Sequence, residues 1–313
     1  LVSDSFPENQ RGMAMGIVTA GVYVGIGISL LGGGYLIDYL TTIGGLRLPL
    51  IGQIKPWQAA FMIAGAPGLL ITAAAFALRE PARLEAIDNT QKSVIGKELF
   101  LHIRDHPKTL FFLLSGLLFQ AIIFFSFSAW APTMMVRTYG ISLTEVGMLL
   151  GTITIMASIL GTIVAGAAFD KLTTLGYEDG AVRAAIFACL MALPAIVAAP
   201  IMESIMLCWI FLGIYLFFIS SYVTLGLLAV ARVSGSNVKG QITAFFALIM
   251  MISGIFGPQI TAAFTDFLFA DENKLNLSMS LTGAITLPLA ILLLTLSLPY
   301  YRESVARVKT SRN

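Results

Sequence analysis

Eight side chains able to hydrogen-bond or stack stand inside long apolar runs of this chain: Tyr23, Gln120, Ser126, Trp130, Tyr215, Ser220, Tyr222 and Gln259. An amide or hydroxyl set in hydrocarbon needs a partner that hydrocarbon cannot give. Such a group marks either a polar site or a bond between neighbouring helices, and the latter is worth only ~0.6 kcal/mol on average. Gln120 is the best single candidate for a site. Tyr215 and Tyr222 are seven residues apart, hence on one helix face, with Ser220 and Ser221 between them. Ordinary aromatic packing is the alternative for that pair, and a place in the interfacial aromatic belt is the alternative for Trp130. Recognition, not bond-making, is the chemistry on offer. No Asp, Glu, Lys or Arg stands in the middle of any apolar run, and a membrane-embedded enzyme would need clustered ionisable groups there. Glu98, His102 and His106 have a spacing that could hold a metal, but the polar face of a surface helix explains them more simply. No cofactor is expected.

The elements that carry these groups are eight apolar stretches: Gly12–Leu40, Trp57–Leu78, Thr109–Met135, Glu145–Phe169, Val182–Pro200, Ile205–Ala231, Gly240–Phe269 and Ser278–Tyr300. A helix needs about 20 apolar residues to cross a ~30 Å hydrocarbon layer. The 57% hydrophobic and 12% charged composition agrees with an all-α membrane protein. Lys and Arg give the orientation. If the spans alternate, 15 of the 19 fall on one side, in the segments at the start, 79–108, 170–183, 232–239 and the tail. Positive residues are retained inside, so both ends of the chain are expected in the cytoplasm. A net charge of only +2 gives no reason to expect a nucleic-acid partner. Cys189 and Cys208 differ in expected depth by about 13 Å, which makes them apolar fillers, not a disulfide.

The expected plan is 1–78 for the last two spans of a first half and 79–108 for a cytoplasmic linker with an interfacial helix. A second six-helix half follows over 109–300, then a tail over 301–313. The linker helix is expected near Val94–His106, apolar on one face and stopped by Pro107. Displacement by 228 residues aligns Asn9 with Asn237, Arg11 with Lys239, Gly12 with Gly240, Asp38 with Asp266 and Leu40 with Leu268. Each copy has a basic entry with Gly, a small-residue span and an Asp at the exit, as in carriers built from repeated halves.

These residues resemble the major facilitator superfamily. Phe6-Pro7-Glu8-Asn9-Gln10-Arg11-Gly12 looks like the cytoplasmic turn before its fifth helix. Gly166-Ala167-Ala168-Phe169-Asp170-Lys171 looks like the family's G-x-x-x-D-R/K turn after helix eight, with Thr173-Thr174-Leu175-Gly176 replacing the usual Gly-Arg-Arg continuation. Ala64-Gly65-Ala66-Pro67-Gly68, Arg79-Glu80-Pro81, Trp130-Ala131-Pro132, Arg137 and Gly147 look most like the spinster-like branch. Gly16, Gly25, Gly33 and Gly34 keep the frame of an antiporter signature in which Ser29-Leu30 replace Gly-Pro, and close helix packing is the favoured reading.

The resemblance implies a two-half helical bundle of which helices five to twelve are present, truncated at its N-terminus. It further implies a bacterial inner-membrane carrier working by alternating access, as a monomer, on a small organic or lipid-like solute, with or without protons (the symporter expectation). The eight polar and aromatic residues named first would line its central cavity. Arg11, Gly12, Asp170, Lys171 and Lys239 would form the cytoplasmic gate, with Asp170 near the N-terminus that begins at Arg11-Gly12. That placement is worth roughly 0.3–1 kcal/mol. The contact is expected only while the cytoplasmic side is shut. Two rival readings remain: an inactive remnant of such a carrier, and a membrane-embedded enzyme.

Overall fold

A computed structural model describes residues 6–7, 10–49, 52–76, 95–234 and 238–310. Ten α-helices occur among them: α1 (Arg11–Thr42), α2 (Pro56–Phe76), α3 (Ile95–Asp105), α4 (Pro107–Tyr139), α5 (Leu143–Thr174), α6 (Gly180–Ala198), α7 (Ile205–Ile219), α8 (Ser221–Val233), α9 (Lys239–Ala263) and α10 (Leu275–Thr310). Helices α7 and α8 form one span interrupted at Ser220. The hydroxyls of Ser220 and Ser221 there turn back onto the carbonyls of Phe217 and Phe218, at 3.1 and 2.6 Å. Such back-bonding competes with the helical ladder and bends a helix.

Local chemistry sets the other ends. Pro107 occupies the first turn of α4, where its missing N–H costs nothing. Gly140 ends α4 in the left-handed region at φ 66°. Ser142 and Glu145 then form a reciprocal capping box that starts α5. Seven helical spans are long and apolar enough to cross a membrane among the described residues. The expected stretch Trp57–Leu78 is α2, which is not one of these seven and whose expected last two residues lie outside the described ones. The chain is an integral membrane protein.

Two details depart from expectation. The loop after α1 holds a small antiparallel hairpin, Leu46–Leu48 paired with Gly52–Ile54. The last helix does not stop at Tyr300 but continues to Thr310, because Tyr301, Val305 and Val308 keep one buried face while Glu303 and Arg307 pair at 2.5 Å on the exposed one.

Helix α4 stands centrally, against α9 and α10; α10 also covers α6, α6 covers α7, and α5 packs on α7 and α8. Helix α1 lies along the whole of α5 and touches α8, with α2 beside it. That long seam is possible because its backbones touch. A Cβ on Gly12 would collide with the Gly166 carbonyl oxygen, and one on Gly166 with that of Gly12. A Cβ on Gly151 would come within 2.8 Å of the Gly27 oxygen. Lipid offers helices no hydrophobic reason to associate, so close backbone contact and polar bonds must hold the seam.

Candidate functional site

Five of the expected cavity residues meet where α1, α4 and the α7–α8 break converge. Tyr23 is buried and donates its hydroxyl to the Ser220 carbonyl at 2.6 Å. Its ring stands edge-on to Phe124 at 6.0 Å, and Phe124 in turn lies 5.1 Å from Tyr222. Ser220, besides bonding its own helix, reaches the Ser158 carbonyl on α5 at 3.2 Å. Tyr215 packs on Phe127 at 4.9 Å, and its buried hydroxyl has no hydrogen-bond partner among the described residues. Gln120 donates to the Cys189 sulfur at 2.7 Å, while its amide oxygen is buried and also lacks a partner. Two unsatisfied buried oxygens on neighbouring elements are unusual, since buried polar atoms normally find a partner. Both cysteines are buried free thiols.

Ser126 and Trp130 belong to a different face of α4. Ser126 bonds Thr261 at 2.5 Å, Thr261 bonds Thr282 at 2.7 Å, and Thr265 donates to Ser278 at 2.8 Å. The half-buried Trp130 donates its indole N–H to the Pro258 carbonyl at 2.9 Å. This ladder joins α4, α9 and α10. Gln259 stands exposed on α9, apart from both groups. Sequence reasoning missed Thr261, Thr265, Ser278 and Thr282, and also Thr19, whose hydroxyl meets that of Thr224 at 2.6 Å across α1 and α8. The repeated hydroxyls on α9 and α10 were the only signal available, and a hydroxyl bonded within its own helix leaves the same one.

Two of the residues expected at a gate, Gly12 and Asp170, meet at one end of the seam. Asp170 is buried, and its two carboxylate oxygens accept the Gly12 and Met13 backbone N–H groups, each at 2.8 Å. These are two of the donors that the first turn of a helix leaves unpaired, so the carboxylate caps α1 from a neighbouring helix. The Arg11 Nε donates to the Phe6 carbonyl at 3.0 Å. Lys171 is exposed, and the side chain of Lys239 lies outside the described residues. At the far end of the same seam, the Thr144 hydroxyl donates to Asp38. Both ends of the α1–α5 contact are therefore clasped at once. The glycines of the antiporter frame divide: Gly16 and Gly34 face α5, whereas a Cβ on Gly25 or Gly33 would meet nothing within 4 Å.

A further polar cluster escaped the sequence reading. Asp179, 1% exposed, binds Arg183 at 2.8 Å and Arg302 at 2.6 Å. Burial pushes its carboxyl pKa up, but the bonds and charges of the two guanidinium groups outweigh this and hold it below the usual value. Nearby, Arg232 donates to the Glu178 carbonyl at 2.9 Å and lies over the Phe169 ring. Loop 175–179 is thus tied to α8 and α10. At the end of α3, the rings of His102 and His106 lie 4.7 Å apart, and His106 Nδ1 bonds the Ser304 hydroxyl at 2.8 Å. Desolvation lowers both imidazole pKa values, helped by His106 at His102 and by Arg307 at His106. Among the described residues no cluster of three potential metal ligands occurs.

Comparison with known proteins agrees with this architecture. The Major Facilitator Superfamily matches residues 1–258. An MFS-type efflux pump of Mycolicibacterium smegmatis is 25% identical over 301 residues, which is 91% of this chain and 64% of the pump. The chain thus spans somewhat under two thirds of that curated relative. A bacterial homolog of the human lysosomal transporter Spinster, inward-facing and unoccupied, superposes with TM-score 0.64 at 20% identity, over 97% of this chain and 73% of that one. Its inward-facing, occupied form superposes with TM-score 0.59 at 20% identity, over 97% and 71%. At that identity the likeness concerns the fold. With a family match across most of its length, this chain belongs to the Major Facilitator Superfamily.

Proposed function

We propose that the protein carries a small organic or amphiphilic solute across the membrane by alternating access, with the α1–α5 seam as one of its moving surfaces. The observation that carries this is the pairing of a bare-backbone contact with polar clasps at both ends, Asp170 on Gly12 and Met13 and Thr144 on Asp38. Lipid gives helices no hydrophobic reason to stay together, so a seam held by close packing and a few polar bonds can part when those bonds break and reform when they return. α1 and α2 then belong to a first half, and α4 to α10 form the second. Tyr23, Tyr215 and Gln120 are the groups we assign to solute recognition. The Lys/Arg distribution supports a cytoplasmic position for Arg11, Asp170 and the end of α10. The likeness to an efflux pump supports outward movement of the solute. The test is efflux and uptake of a panel of amphiphilic and carboxylate solutes by the whole protein in vesicles, with and without a proton gradient. Movement of no solute above empty vesicles overturns the reading.

A further inference from the structure

Lipid-facing helices normally present an even apolar surface, but α5, α6 and the α7–α8 break enclose a groove of about 340 Å³. Val164, Ala168, Phe187 and Phe217 line it, and Lys171 and Arg183 stand together at one end. Val164 and Phe187 are 50% and 56% exposed, so the groove leaves large apolar side chains uncovered. From Gly161 to Lys171 the lining runs roughly 15 Å along α5, about one leaflet of a ~30 Å hydrocarbon layer. These positions lie on roughly the opposite side of α5 from Gly151, Thr162 and Gly166, which face α1. Helix α1 therefore leaves the groove open.

The end with the cations continues into a polar pocket of about 310 Å³ bounded by Glu178, Asp179, Arg183 and Arg302, with Arg183 shared by both. Arg183 spends one N–H on Asp179 and remains 41% exposed, while the Lys171 side chain has no partner among the described residues. An apolar channel one leaflet deep, ending in two cations, is complementary to a molecule with an alkyl tail and an anionic head.

We infer that this groove binds an anionic phospholipid of the cytoplasmic leaflet, one acyl chain lying along Val164, Ala168, Phe187 and Phe217 and the phosphate meeting Lys171 and Arg183. A charged head near such a surface gains from each Lys or Arg, whereas a zwitterionic head carries its own ammonium and gains less. The site is separate from the Tyr23–Tyr215–Tyr222 region and stands whether or not the protein moves a solute.

The experiment uses the chain in vesicles of equal phosphatidylglycerol and phosphatidylethanolamine, gently extracted, with retained lipid weighed by native mass spectrometry. Retention of phosphatidylglycerol should exceed that of phosphatidylethanolamine about tenfold, and Lys171→Gln should cut the excess about fivefold. Ala168→Trp, which fills the groove and keeps both cations in the chain, should remove it. Equal retention of the two lipids overturns the inference. So does full phosphatidylglycerol retention by Ala168→Trp, which would mean surface charge alone. Displacement of the lipid by inorganic phosphate at millimolar strength would identify an anion site instead, and overturns it too.

Discussion

Asp170 and Asp179 are nine residues apart and answer opposite questions about charge in this fold. Asp170 spends its charge on backbone donors across the seam, so Asp170→Asn keeps the shape and loses one strong acceptor. We expect cysteines placed on the cytoplasmic part of α1 in that variant to react several-fold faster with a membrane-impermeant maleimide, in the whole protein. Unchanged labelling would show that the cap does not hold the seam shut. Asp179 instead binds two half-exposed arginines, and Asp179→Asn should cost about 2 kcal/mol at neutral pH, less than the ~3–5 kcal/mol of a fully buried broken pair because solvent screens both arginines. Because its folded pKa is depressed, that contribution is complete above the unfolded value and fades as pH falls through the folded one. Thermal unfolding of wild type and variant should therefore differ by a constant amount above about pH 5 and converge as pH falls below the ordinary Asp value of about 3.9. Asp170 was legible because its Gly-x-x-x-Asp-Lys setting is distinctive. Asp179 was not: its near partner Arg183 looks like a solvated i,i+4 pair, and its other partner, Arg302, is 123 residues away in sequence. The unpartnered oxygens of Gln120 and Tyr215 were equally out of reach, since a sequence names a polar atom but not its neighbours.

Helices were the easiest level to anticipate and their mutual faces the hardest. Runs of apolar residues bounded by charge mark a span almost to its ends, because the bilayer sets the length. The hairpin at 46–54 and the extension of α10 to Thr310 belong to no such uninterrupted apolar run, so that ruler does not apply to them. Likewise, glycine spacing on α1 announced close packing without saying which glycines pack. The structure makes that distinction testable. Gly166→Val drives a side chain into the Gly12 backbone and should destabilise the protein by at least ~1–3 kcal/mol. Gly25→Ala meets nothing and should be neutral or stabilising by up to ~1 kcal/mol through helix propensity alone. Denaturation in detergent followed by circular dichroism separates the two, and equal effects would contradict the seam. A different element responds to protons. With His102 and His106 held neutral by desolvation, and Asp105, Glu303 and Arg307 as the charged groups around them, docking of α3 is favoured above the imidazole's ordinary pKa near 6.5. As pH falls below that, both rings gain charge more readily when α3 is released. Amide exchange over 100–105 should accelerate between pH 6.5 and 5 beyond the intrinsic rate change, and His106→Gln should reduce that acceleration.

Across the whole molecule the polar bonds are distributed unevenly, and that distribution bears on how a carrier would move. Within the second half, α4, α9 and α10 are joined by a buried hydroxyl ladder, and α5, α8 and α10 by the Asp179 and Arg232 clusters. The contact between α1 and that half is of another kind: bare backbone along its length, Tyr23 and Thr19 at its middle, and one carboxylate at each end. A body of several helices held by many small bonds can rock as a unit, while a surface held by few can part and reform. If transport requires the two ends of the seam to open in turn, holding either end must stop it. Cysteines replacing Asp38 and Thr144, whose side chains touch, give a reversible lock at one end. A lock between Met13→Cys and Asp170→Cys, whose backbone N–H and carboxylate now bond at 2.8 Å, would hold the other end. In the whole protein, oxidation of either pair should reduce solute efflux at least tenfold, and reduction should restore it. Each single cysteine serves as the control for lost side chains. Undiminished efflux with either lock fully formed, as judged by free-thiol counting, would mean that α1 and α5 travel together and that access alternates at some other surface.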